Sequence, residues 1–278
     1  MSPDSARISP TALFTGYTWY RHGLGDDALR TRAGQVLVAA FSPIDRVARL
    51  MGSPTLEGTL LGRHTLIDRL LDEAIERGEV GQVLEVAAGL SPRGLRFTRR
   101  HGDRLLYVEG DLPGMAGRKR RALAGVTPPA GPRHEVVEID ALADDGPDSL
   151  AAVAERLLDP TVGLAIVTEG LVNYFDRASV EGMWARFAGL LARHPHGLYL
   201  SDLHLADDMA RVRGARAVAT LVSVFARGRV HMHFADEAEA GRALLGAGFA
   251  EARLHTVTGS GDQAAPVRVV EARSLAQE

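Results

Sequence analysis

From Val80 onward the chain alternates between two hydrophobic periods. Short runs rich in β-branched residues and leucine, spaced as buried strands, cover 82–87, 105–109, 135–139, 163–168, 198–202, 252–257 and 267–272. Between them, apolar residues recur at helical spacing over 93–101, 115–123, 148–158, 178–193 and 236–247. Strand and helix in alternation predict a mostly parallel sheet with helices on both faces. The last two strands are joined by a polar loop over 259–263, too short for a crossover helix, so they are expected as an antiparallel hairpin. Local signals agree with these periods. Asp176 is placed to cap the helix after it, Asp159-Pro160 ends the one before, and Asp236 with Glu239 forms a capping-box pattern. Before Val80 the chain reads as helical and irregular. Its clearest helix is 63–77, with Leu66, Ile67, Leu70, Leu71, Ala74 and Ile75 on one face and Gly78 as its stop.

No internal repeat or low-complexity tract interrupts this pattern, and 278 residues suit one large α/β domain. We divide it into a helical region (1–78) expected to serve as a lid, a ligand-binding core (79–203), an insertion (204–234) and a C-terminal helix with hairpin (235–278). The insertion carries Met209, Val212, Val218, Val222 and Phe225 at helical spacing, a stripe that serves as core or as a roof over a pocket. Hydrophobic residues make up 46% of the chain, enough to bury a core. Basic and acidic groups number 32 and 35, so nothing favours a nucleic-acid partner. Lys119 is the only lysine. Without cysteine there is no disulfide, thiolate metal site or thiol nucleophile. No apolar run nears the ~18 residues of a membrane span, and the N-terminus lacks a signal-peptide core. The expectation is a soluble cytoplasmic protein, monomer or homodimer, away from membranes.

An open parallel sheet binds ligands beyond the carboxyl ends of its strands. The loop 87–94 lies there, and Gly89 in it permits a close backbone approach. Asp111 ends the second strand, Asp140 the third and Glu169 the fourth. Singly, an acid after a strand is more often a cap or turn former. Together, three acids and a glycine loop converge on one rim and suit an adenosine ligand, with Asp111 on the ribose and Asp140 on the adenine amine. A dinucleotide site wants G-x-G-x-x-G for its pyrophosphate; here those positions hold Ala87, Gly89 and Pro92. The balance favours S-adenosylmethionine (AdoMet), which carries no phosphate, over NAD.

Three motifs, in order and with matching gaps, resemble the leucine carboxyl methyltransferase-like family, which includes bacterial carboxyl O-methyltransferases of the tetracenomycin type. "AAGLSPRGLRF" (87–97) is similar to the family's GAGLDTRxxRL, "VEGDLPGMAGRK" (108–119) to xEVDLPxVxxxK, and "IVTEGLVNYF" (166–175) to xxxEGxxxYL. The resemblance runs from about residue 63 to the C-terminus. It implies a class I methyltransferase fold with a seven-stranded sheet, and AdoMet as cofactor. It further implies that Arg63 pairs with the AdoMet carboxylate, Gly89 lies under the ligand with Ala87 in the first glycine's place, Asp111 holds the ribose, Asp140 and Ala141 meet the adenine, and Glu169 stands near the amino-acid tail or sulfonium. Ala87 and Ser91 depart from the family's glycine and acid. For Arg63 the residues alone leave two readings open: a stem packed on the helix's buried face, or a planar carboxylate clamp.

Transfer to a carboxylate needs alignment more than a base, because that nucleophile is already ionised; a phenol needs a proton acceptor. Candidate pocket residues are Tyr17, Trp19, Tyr20, Arg21 and His22 near the N-terminus, Tyr174 beside the acidic motif, and His204, His231 and His233 from the insertion. His231 and His233 alternate and share a face, but no third ligand is evident, so no metal is expected. The leading reading is methyl-ester formation on a small-molecule acid of secondary metabolism. The alternatives are a hydroxyl or phenol acceptor with His231, His233 or Glu169 as base, and a non-catalytic AdoMet-binding protein.

Overall fold

The computed structural model describes residues 10–126, 133–211, 230–258 and 264–274. Helices α1 (Pro10–Arg21), α2 (Arg32–Leu50) and α3 (Leu56–Glu76) lead into β1 (Gln82–Val86). Then follow α4 (Arg93–His101), β2 (Leu106–Asp111), α5 (Pro113–Leu123), β3 (His134–Glu138), α6 (Leu150–Leu157), β4 (Leu164–Thr168), α7 (Arg177–Leu191) and β5 (Gly197–Leu203). A short α8 (Ala206–Arg211) opens the insertion, and α9 (Glu237–Gly246), β6 (Glu251–Thr258) and β7 (Ala264–Ser274) complete the described chain.

The strands form one sheet in the order β3-β2-β1-β4-β5-β7-β6. Strands β1 to β5 run parallel, and β7 lies antiparallel between β5 and β6. Alternation along each strand sorts side chains into two cores. Leu84, Val108, Ile166 and Tyr199 face α6, α7 and α9, meeting Val153, Trp184, Phe187 and Leu244. Val83, Tyr107, Val167 and Leu200 face the other way, meeting Ile67, Leu71 and Ala74 of α3 and Phe97 of α4.

Helix α3 starts seven residues earlier than its apolar pattern predicts. Thr55 accepts from the N–H of Gly58 (2.9 Å), and Asp45 of α2 accepts from those of Leu56 (2.8 Å) and Glu57 (3.0 Å). These caps satisfy donors that would otherwise be orphaned, so the helix begins at Leu56, and Arg63 sits near its middle. The capping box at α9 differs in one atom pair. Asp236 accepts from the N–H of Glu239 (2.8 Å), but Glu239 reaches back to the N–H of Ala235 (2.8 Å) instead of that of Asp236. Of the insertion stripe, Met209 lies in α8; Val212, Val218, Val222 and Phe225 lie outside the described residues.

Candidate functional site

Register builds the rim. Val86 is opposite Gly110 on one side and Thr168 on the other, so Ala87, Asp111 and Glu169 leave the sheet side by side. The loop after β1 is left-handed at both Ala87 (φ 58°) and Gly89 (φ 51°). The N–H of Gly89 donates to Asp111 Oδ2 (2.7 Å) and that of Leu112 to Oδ1 (2.8 Å). Burial pushes the Asp111 carboxyl up from its ordinary value, against the pull of these two N–H groups. Each carboxylate oxygen has two acceptor positions, so Asp111 can fix the loop and still accept from a diol. Asp140 is exposed and accepts the N–H of Leu142 through Oδ1 (2.9 Å). Two leucines close to these acids in sequence, Leu112 (41%) and Leu142 (38%), are exposed, with Ala141 half-buried between Asp140 and Leu142. Apolar side chains beside rim acids suit a flat base with a polar edge.

On the opposite side of the loop lies a buried network of charges. Arg63 donates through Nε to Glu169 (3.1 Å) and through Nη1 to Asp202. Asp202 also accepts the N–H of Gly170 (2.6 Å). Gly170 is left-handed (φ 68°), and a Cβ there would lie 3.2 Å from Arg63 Nη2. Arg93, fully buried, donates to Asp68 (2.5 Å), Glu85 (2.6 Å) and Glu169 (2.6 Å). His64 Nδ1 lies 2.8 Å from Glu169, and Tyr107 donates its hydroxyl to Glu85 (2.7 Å). Burial alone would raise Glu169; His64 and Arg93, with help from Arg63, hold it well below the usual carboxylate range. Burial pushes Glu85 up against the pull of Arg93, and Glu109, opposite it in register, pushes the same way. Glu109 has its own partners, the Lys119 ammonium (2.8 Å) and His134 Nε2 (3.0 Å).

Arg63 is therefore neither a packed stem nor an open fork. Two of its five N–H donors hold acids of β4 and β5, and Nη2 remains beside Gly170. Sequence reasoning placed Arg63 and Glu169 here but missed Arg93, Asp202, His64 and Gly170. Asp202 carries the same signal as Asp111 and Glu169, an acid at a strand's carboxyl end. Arg93 sits in the first motif, where the sequence marks it only as the start of a helix.

A third group gathers around a 3₁₀ turn, Val172–Tyr174. Asn173 donates to the carbonyl of His231 (2.6 Å), accepts the N–H of His204 (3.0 Å) and offers its own carbonyl to the N–H of His231 (2.8 Å). His204, His231, His233 and Tyr174 are thus brought to one place. The His231 and His233 rings stack at 5.6 Å, and His233 Nε2 lies 3.4 Å from the carbonyl of Val172. His204 Nδ1 lies 2.6 Å from the carbonyl of Pro266. A carbonyl only accepts, so Nδ1 carries the proton. Burial pushes the His204 pKa down, which Asp202 opposes. Burial likewise raises the Tyr174 hydroxyl.

The N-terminal candidates separate. Trp19 is buried with its ring on His64 (4.7 Å between centroids), at the charge network. Tyr17 packs with the cluster of Phe14, Val38 and Leu60. Tyr20 lies under Arg30 (5.3 Å), and Arg21 and His22 both hold Glu57 (2.8 Å each) at the start of α3. Among the described residues, one grouping could chelate a cation: Asp72, Glu76 and His101, at the α3–α4 seam. Arg100 already pairs with Asp72 (2.8 Å) there, and neither His231 nor His233 takes part.

The family model for leucine carboxyl methyltransferase matches residues 27–188, which contain β1 to β4 and most of the rim. The chain belongs to the leucine carboxyl methyltransferase family. Solved structures share its fold. A DUF574-family protein from Streptomyces avermitilis is 17% identical over 97% of this chain and 99% of its own, with a TM-score of 0.65. The AdoMet-dependent methyltransferase SibL, in its apo form, is 18% identical over 77% of this chain, TM-score 0.53. PigF, solved with S-adenosylhomocysteine (AdoHcy), is 12% identical over 78% of this chain, TM-score 0.52. The chain spans 55% of the length of SibL and 59% of that of PigF. A comparison with curated protein sequences finds no match. Within this leucine carboxyl methyltransferase family member, the rim acids and the buried charges are contributed by elements inside the matched span, except Asp202, which follows it with His204, His231 and His233.

Proposed function

We propose that this protein is an AdoMet-dependent O-methyltransferase forming a methyl ester on a small-molecule carboxylic acid. One observation carries the cofactor assignment: Asp111 closes the left-handed Gly89 loop while keeping acceptor capacity toward the rim. Asp111 would hold the ribose, Asp140, Ala141, Leu112 and Leu142 the adenine, and Gly89, Arg63, Glu169 and Gly170 the amino-acid end. Bound there, AdoMet supplies an activated methyl group on a sulfonium. The protein's part is to align an acceptor oxygen and exclude water. Tyr174, His204, His231 and His233 are the residues placed to orient that acceptor. Family membership supports the carboxylate, which needs no base.

A hydroxyl acceptor is the second reading, and His204 favours it. Its Nδ1–H is fixed on Pro266, burial favours the neutral imidazole, and Nε2 has no hydrogen bond among the described residues. Such a nitrogen can take a proton. The two readings separate with radiolabelled AdoMet, paired carboxylic and phenolic acceptors, and His204→Gln. For a carboxylate acceptor, the label enters alkali-labile esters and kcat stays within about threefold of wild type. For a hydroxyl acceptor, the label is alkali-stable, kcat falls by about 10²–10⁴, and the acidic limb of kcat/KM disappears in the variant. Absence of AdoHcy binding by calorimetry would sink both readings.

A further inference from the structure

Helix α2 presents an exposed apolar stripe. Val36, Ile44, Val47, Leu50 and Met51 are 66%, 40%, 55%, 83% and 63% exposed; elsewhere among the described residues only Leu112, Leu142 and Leu245 are large hydrophobics left so open. At about 100° per residue the five fall within about a third of the helix circumference. Val38, on the other face, is buried against Phe14 and Leu60, with Leu37 and Phe41 packed beside it. The stripe is therefore not the side α2 turns to its own core.

Charge on this helix has one sign. Its exposed ionisable side chains are Arg32, Arg46 and Arg49; at about 100° per residue Arg32 falls within the stripe and Arg46 beside it, while Arg49 lies on the far side, near Val38. Its single acid, Asp45, is buried and occupied with the N–H groups of Leu56 and Glu57. A second copy of the chain fits poorly. A 19-residue helix is about 28 Å long and presents a face about 10 Å wide. That is well short of the roughly 800 Å² per partner of a stable interface, and the pairing would bring arginines together with no exposed acid on either helix. The stripe is aliphatic and convex, without the tryptophan or tyrosine that anchors protein interfaces. An anionic lipid surface meets all three features: it accepts aliphatic side chains into the headgroup boundary, needs no matching pocket, and supplies the missing negative charge.

We propose that α2 docks this protein onto anionic lipid bilayers, with the Val36–Met51 stripe inserted and Arg32 and Arg46 against the phosphates. The contact is peripheral, since no described helix is long and apolar enough to cross a membrane. It is independent of the methyl-transfer assignment. The test is co-sedimentation of the full chain with vesicles of phosphatidylcholine alone, or of phosphatidylcholine mixed with phosphatidylglycerol. Partition onto the mixed vesicles only, released by high salt, is expected. Val47→Asp with Leu50→Asp, and separately Arg32→Glu with Arg46→Glu, should each weaken it by about tenfold or more, with circular dichroism and AdoHcy affinity unchanged. Should a double variant fail to fold, Leu50→Gln at the most exposed position gives the same comparison. No partition onto either vesicle, or partition unaltered in all these variants, overturns the proposal. So does a dimer in sedimentation equilibrium that Leu50→Gln dissociates without any lipid binding, which would assign the stripe to a second copy.

Discussion

Ala87 occupies a conformation that alanine resists. Its φ of 58° lies in the left-handed region, where an L-residue pays about 1–2 kcal/mol that glycine does not. Ala87→Gly removes that strain but adds about 0.4–1 kcal/mol of unfolded-state entropy. The expected outcome is a net gain near 0.5 kcal/mol in urea denaturation, while Ala87→Val, β-branched at the same φ, should lose stability. Arg93 answers a different question: what keeps Glu85 ionisable inside the first strand. Arg93→Met leaves Asp68, Glu85 and Glu169 without their shared cation, and removing one partner of a buried pair destabilises by about 3–5 kcal/mol. Adding Glu85→Leu should recover part of the loss in a double-mutant cycle; recovery of none would show that the Arg93–Glu85 contact is not what carries it. The sequence made Gly89, Asp111 and Glu169 legible because each stands at a strand end. It hid the role of Arg93, because a buried arginine and a surface one look alike until their partners are placed.

Among the elements, α3 shows both what periodicity reveals and what it misses. Its apolar face announced the helix from residue 63, but its first two turns depend on Thr55 and Asp45, whose caps have no periodic signature. Its far end is tied to the sheet through Glu79, which accepts from Arg77 (2.6 Å) and from Arg273 of β7 (2.9 Å). The Arg77 hydrogen bond, with Arg273 adding to it against burial, pulls Glu79 from 4.5 down to about 2. A carboxyl depressed in the folded state contributes stability above its unfolded value and loses it as pH falls through the folded one. Glu79→Gln should therefore be less stable than wild type at pH 6, and the gap should close between pH 4.5 and 2. Surface screening keeps the effect to about 0.5 kcal/mol, so the comparison is best made by denaturant melts at low ionic strength. A gap that is constant with pH would remove the linkage.

Across the whole molecule, the mostly parallel sheet and its antiparallel end followed from two periods and one short polar loop. The seating of the N-terminal helices did not. Trp19 on His64, and Ala12 within 3.3 Å of where a Cβ on Gly89 would stand, are contacts between segments far apart in sequence, and nothing local marks them. Through them α1 leans on both the Gly89 loop and the buried charges. Those charges have a further consequence. Arg63 and Arg93 are enclosed by four acids, Asp68, Glu85, Glu169 and Asp202, so carboxylates outnumber the arginines in this interior. In the proposed cofactor site that surplus favours a guest whose buried end brings a positive group, and a guest offering only a carboxylate meets more of its own sign.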